Sequence, residues 1–131
     1  MSDSSTAAAE KGSDPEAAEK RFQEGAAALQ LGQLNAAIAA LSAAARMAPK
    51  EPKYRAYFGR ALAAHPKTRR LAETELQTAV KLDPANASYH VMLAALYRDL
   101  GFLKRAEAEL ERALALDSAN SQAREMLSTL K

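Results

Sequence analysis

The sequence predicts an all-α fold, a solenoid of stacked helix–turn–helix units, and three observations point to it. First, the chain repeats itself. Gly25, Ala37, Leu41, Ala44, Met47 and Pro49 recur as Gly59, Ala72, Leu76, Ala79, Leu82 and Pro84, then as Ala94, Ala106, Leu110, Ala113, Leu116 and Ser118. The offsets are 34 or 35 residues, a period typical of stacked helical repeats. Second, apolar residues from about position 17 onward recur every three or four residues, and no alternating run suggests a strand. Third, the breaks fall regularly, at Gly32, Pro49, Pro52, Pro84 and Gly101.

Taken in order, residues 1–16 are rich in Ser, Ala and acid, with Asp3, Glu10, Asp14 and Glu16 against Lys11. Such a segment buries nothing and reads as a disordered tail or an expression scar. Residues 17–131 form the folded part, with helices predicted at 16–30, 34–47, 52–64, 69–81, 87–99, 103–116 and 120–130. Gly32 and Gly101 stand where a helix must stop in a left-handed residue. Pro52 opens a helix without needing its missing N–H, and Asn86 and Asn120 precede new runs as capping side chains. Gly59 to Ala72 spans 13 residues, where Gly25 to Ala37 and Ala94 to Ala106 span 12. One extra residue therefore lies in the middle turn, around His65–Thr68. Small residues at Gly25, Gly59 and Ala94 let each first helix approach the second at Ala37, Ala72 and Ala106. The final helix turns Ala123, Met126, Leu127 and Leu130 inward and Gln122, Arg124, Glu125 and Ser128 to water, the polar outer face of a cap.

With these residues in register the sequence resembles the tetratricopeptide repeat, a 34-residue helix–turn–helix unit. The repeats span about 18–51, 52–85 and 87–118, followed by a capping helix at about 120–130. The third fits best, through Leu93, Ala94, Tyr97, Gly101, Ala106, Leu110 and Ala113. The family's tryptophan at repeat position 4 is replaced by Arg21, Arg55 and His90, and Ser118 replaces the last proline. The resemblance implies a right-handed α-solenoid that serves as a non-catalytic scaffold for protein–protein interaction.

The composition excludes most chemistry. There is no cysteine, hence no disulfide, thiolate metal site or thiol nucleophile, which suits a cytoplasmic protein. His65 and His90 are the two histidines, and neither has partners at metal-ligand spacing. His65 precedes a proline in a turn, and His90 reads as a half-buried packing residue. Glu73 and Glu75, like Glu107, Glu109 and Glu111, lie two apart, and such residues do not face one another on a helix. No phosphate loop or nucleophile elbow appears, so neither an enzyme nor a cofactor is expected. No run of about 18 apolar residues occurs, so no membrane partner is expected.

The resemblance implies that the first helices line a concave groove through repeat positions 2, 5, 9, 12 and 13. These are Glu19, Phe22, Ala26, Leu29 and Gln30, then Lys53, Ala56, Arg60, Ala63 and Ala64, then Ser88, Val91, Ala95, Arg98 and Asp99. Phe22, Ala26, Leu29, Lys53, Ala56, Arg60, Val91, Ala95 and Arg98 are the candidate partner-binding residues. An alanine floor with apolar points and a few cations suits a peptide or helix with apolar anchors and an acidic group. One subclass clamps the C-terminal carboxylate of heat-shock chaperones with Lys, Asn and Arg. Here those places hold Phe22, Ala26, Tyr57, Ser88 and Met92, so the clamp is not expected. Two alternatives remain. Arg46, Lys50, Lys53, Arg55, Arg60, Lys67, Arg69 and Arg70 face only Glu51 between 46 and 70, a cluster able to meet nucleic acid or phosphorylated and acidic segments, though a net charge of +2 makes nucleic acid the weaker option. The alanine-rich faces also allow self-assembly into a homo-oligomer.

Overall fold

The computed structural model describes residues 14–130. They form seven α-helices: α1 Pro15–Gln30, α2 Leu34–Met47, α3 Pro52–Ala64, α4 Ala72–Leu82, α5 Ala87–Asp99, α6 Leu103–Leu116 and α7 Ser121–Leu130. The closest packing is within the pairs α1–α2, α3–α4 and α5–α6, and each pair then stacks on the next. No strand occurs among the described residues.

The helix ends follow from local chemistry. At the start of α1, Asp14 Oδ1 accepts the backbone N–H groups of Glu16 and Ala17 at 3.1 Å each, with Pro15 in the first turn. Asp14–Glu16, grouped by composition with the tail, are thus a cap and first turn; residues 1–13 lie outside the described part. Asn120 Oδ1 caps α7 by accepting from Ala123 N–H at 2.9 Å. Asn86 differs from expectation, because its amide donates to Asp83 Oδ2 at 3.3 Å and makes no cap bond to α5.

The turns inside the pairs come in two kinds. After α1, Gly32 has φ 78°, and the N–H groups of Gly32 and Gln33 return to the carbonyls of Leu29 and Ala28. After α5, Gly101 has φ 83°, with Gly101 and Phe102 returning to Arg98 and Tyr97. This is the Schellman stop, which needs a left-handed residue. The middle pair has no glycine there. Thr68 Oγ1 donates to the Leu62 carbonyl at 2.6 Å and Arg69 Nε to the Ala63 carbonyl at 3.1 Å, so side chains close α3. The extra residue is taken up by a 3₁₀ turn at Arg69–Leu71, which is why α4 begins at Ala72 instead of 69.

The core is alanine and leucine. Leu41, Leu76 and Leu110 on the second helices are at most 1% exposed. A Cβ on Gly25 would meet Leu41 Cγ at 2.5 Å, and one on Gly59 would meet Leu76 Cγ at 2.7 Å and the Ala72 carbonyl at 3.3 Å. The first helices therefore press most closely on these leucines, with Ala37, Ala72 and Ala106 fully buried beside them. Ile38 and Phe58 pack against the core clusters of both halves, which makes the interior continuous. On α7, Ala123 and Met126 are buried and Leu127 and Leu130 half-buried, while Gln122, Arg124, Glu125 and Ser128 are exposed.

Candidate partner-binding recess

The first helices α1, α3 and α5, followed by α7, lie side by side, leaving a seam between each neighbouring pair. The seam between α1 and α3 is filled. Phe22 is 6% exposed, its ring centroid 5.2 Å from that of Tyr54 and 5.0 Å from that of Tyr57, the second contact edge-on. Lys53 Nζ lies over the Phe22 ring at 4.7 Å and reaches Glu19 Oε1 at 3.3 Å. Tyr54 Oη donates to the same oxygen at 2.8 Å, and Gln23 donates to Glu19 Oε2 at 2.6 Å. The Gln23 amide, the Tyr54 hydroxyl and Lys53 hold the Glu19 carboxyl below its usual range. Burial, followed by the Glu19 carboxylate, pushes the Tyr54 hydroxyl up to about 12.

Between α3, α5 and α7 the seam is open. A recess of about 430 Å³ is lined by Tyr57, Arg60, Ala63 and Ala64 of α3, by Ser88, Val91, Met92, Ala95, Leu96 and Asp99 of α5, by Leu76 of α4 and by Gln122 of α7. Its volume is in the range of small ligand clefts. Short side chains explain the space: Ala63 and Ala95 are half-buried where larger residues would fill the gap. Arg60 is the one cation among the lining residues, with its guanidinium carbon 5.8 Å over the Tyr57 ring.

Of the ten concave positions named from sequence in the second and third repeats, seven line this recess. Lys53 turns to the filled seam and Ala56 is fully buried. Arg98 is exposed and paired with Asp99 at 3.3 Å. Val91 is 3% exposed and forms floor. In the first repeat Phe22 is packed away, and Ala26 and Leu29 are half-buried outside the recess. Tyr57, Met92 and Gln122 were not among the candidates. Gln122 was accessible to the same logic, since it lies one 34-residue period after Ser88.

Four of the eight basic residues around the middle repeat are engaged by neighbouring groups. Arg46 donates to Ser42, Arg55 to Glu75 and the Pro49 carbonyl, Arg69 to the Ala63 carbonyl, and Lys53 to Glu19. Among the described residues no group of three or more His, Cys, Asp or Glu side chains is placed to hold a metal, and no helix is long and apolar enough to cross a membrane.

The family profile described as "Tetratricopeptide repeat" matches residues 21–51 and 87–120. The chain is a tetratricopeptide-repeat protein. The two matched stretches are the repeats with glycine turns, and the unmatched middle repeat carries the extra residue. No curated protein matches the sequence. Among solved structures, the tetratricopeptide domain of Sgt2 from Aspergillus fumigatus superposes with TM-score 0.82 at 22% identity, covering 92% of this chain and 80% of that one. The first such domain of Spaghetti (RPAP3), solved with the HSP90 peptide SRMEEVD, gives 0.82 at 22%, covering 89% and 92%. The second such domain of human RPAP3, solved with the HSP70 peptide SGPTIEEVD, gives 0.80 at 21%, covering 89% and 98%. At these identities the likeness establishes the shared right-handed α-solenoid.

Proposed function

We propose that this chain is a non-catalytic protein-interaction module, and that the recess between its second and third repeats receives an apolar stretch of a partner peptide or helix. One observation carries this reading. A cleft of about 430 Å³ with alanine and methionine walls over a valine floor has a single cation, Arg60, and a single carboxylate, Asp99, which is paired with Arg98. This arrangement leaves Arg60 to meet one acidic group beside apolar anchors. The peptide complexes of two tetratricopeptide relatives support it by analogy of fold. The carboxylate clamp itself is not proposed, because its places hold Phe22, Ala26, Tyr57, Ser88 and Met92.

The test is a selection of displayed peptides on the immobilised protein, repeated on variants. Ala95→Trp fills the recess and is expected to abolish binding of the selected peptides; Arg60→Glu weakens those carrying an acidic residue. Ala39→Trp, on the exposed side of α2, leaves binding unchanged. Peptides that bind Ala95→Trp as well as the parent would remove the recess from the account.

A further inference from the structure

Repeat position 4, held by Arg21, Arg55 and His90, is polar in all three repeats, and two of the three side chains occupy the same slot. Arg55 Nε donates to the Pro49 carbonyl at 3.0 Å, and its Nη1 to Glu75 Oε1 at 2.9 Å. One repeat later, His90 Nε2 lies 3.0 Å from the Pro84 carbonyl and its Nδ1 2.8 Å from Glu109 Oε1. Each proline closes the preceding repeat, and each glutamate sits on the second helix of its own repeat. The slot thus joins two repeats through one side chain. In the first repeat Ala40 stands where the glutamate would be, and Arg21 pairs instead with Glu24 on its own helix at 2.8 Å.

An arginine has donors for both oxygens, whereas a neutral imidazole has one N–H. Either neutral tautomer of His90 would turn a lone pair toward an oxygen at 2.8 or 3.0 Å, in a place where His90 is 6% and Glu109 9% exposed. An unmade bond in such a closed site is costly. Arg112 Nη1 donates to the other Glu109 oxygen at 2.6 Å, so both carboxyl oxygens are engaged.

We propose that His90 is a proton-operated latch between the second and third repeats: as imidazolium it makes both bonds that Arg55 makes, and on losing its proton it releases one of them. The ionisable groups on the packed elements are Glu109 and Arg112 of α6, Tyr97 of α5 with Glu73 of α4 on its hydroxyl at 2.9 Å, Arg55 of α3 committed to Glu75, and Asp83 in the preceding turn bonded to Asn86. The added stability belongs to the protonated form, so it is present on the acid side and lost as pH rises and the folded protein gives up that proton. Val91 and Met92, the next residues of α5, line the recess, so the latch and the recess share one helix.

The test uses the whole chain and two readouts. Nitrogen-15 spectra of the imidazole rings at pH 6 are expected to show both His90 nitrogens protonated. Thermal midpoints are then compared between the unchanged chain and His90→Arg, with His65 common to both. The gap between them is expected to widen by about 4 °C from pH 5.5 to 8.5, because the arginine keeps both bonds throughout. Since a buried substitution can itself unfold a small domain, Glu109→Gln provides a second variant. Its amide can donate to Nδ1, so a neutral His90 is satisfied and the pH dependence disappears. A single neutral tautomer at pH 6, or parallel midpoint curves for the unchanged chain and His90→Arg, would overturn the proposal.

Discussion

Two seams between neighbouring first helices share one backbone plan and differ in what fills them. Between α1 and α3 stand Phe22, Tyr54 and Tyr57, roofed by Lys53 and tied by Glu19. Between α3 and α5 the corresponding space is bordered by Ala63, Val91, Met92 and Ala95, and stays open. The difference teaches that a repeat fold sets where a groove can be, while bulk at a few positions on adjacent repeats decides whether any groove remains. Here the first seam supplies stability and the second supplies surface.

The largest expected effect comes from emptying the filled seam. Phe22→Ala removes a buried ring with two aromatic neighbours, and truncations of that kind cost about 3–5 kcal/mol. Denaturant unfolding is expected to show that loss. The sequence placed Phe22 in the groove; a Phe22→Ala variant as stable as the parent would restore that reading.

Next is Gly25→Ala, whose new Cβ would lie 2.5 Å from Leu41 Cγ. Overpacking costs about 1–3 kcal/mol, against a gain of about 1 kcal/mol in helix propensity. The same change is already present at Ala94 in the third repeat, so the measured loss reports how much closer the first pair packs. Gly101→Ala, at φ 83°, is expected to cost about 1 kcal/mol by forcing a side chain into the left-handed region. His65→Ala, in the turn without glycine, is expected to cost less.

A smaller effect appears in alkali. Because the Tyr54 hydroxyl is pushed up to about 12 from an ordinary value near 10, its contribution is complete below about pH 10 and is lost as pH rises toward 12. Ultraviolet titration of the tyrosines should show a late component that moves earlier in Glu19→Gln. Smallest of all, Arg60→Glu is expected to leave stability within about 0.5 kcal/mol, as exposed substitutions do, while changing which peptides bind.

Much of this was legible in the residues. The 34- and 35-residue offsets locate the three helix pairs, because small and large side chains must recur wherever similar pairs stack. Asp14 was obscured by the composition around it, although Asp-Pro-Glu is a helix-start signature. The burial of Phe22 was not legible from its own repeat position. It is decided by Tyr54 and Tyr57 of the next repeat, a relation that a one-repeat template does not contain. For the same reason Met92 and Tyr57 escaped as lining residues. The two acceptors around His90 come from the preceding turn and a different helix, so only folding brings them together.

The most direct measurement is a nuclear magnetic resonance titration of the labelled chain with a peptide selected on it. Resonances of Ala63, Met92, Ala95 and Gln122 are predicted to shift on binding, while those of Ala26 and Leu29 stay in place. Shifts confined to Ala26, Leu29 and the face of α1 would contradict the assignment of the open seam as the binding surface.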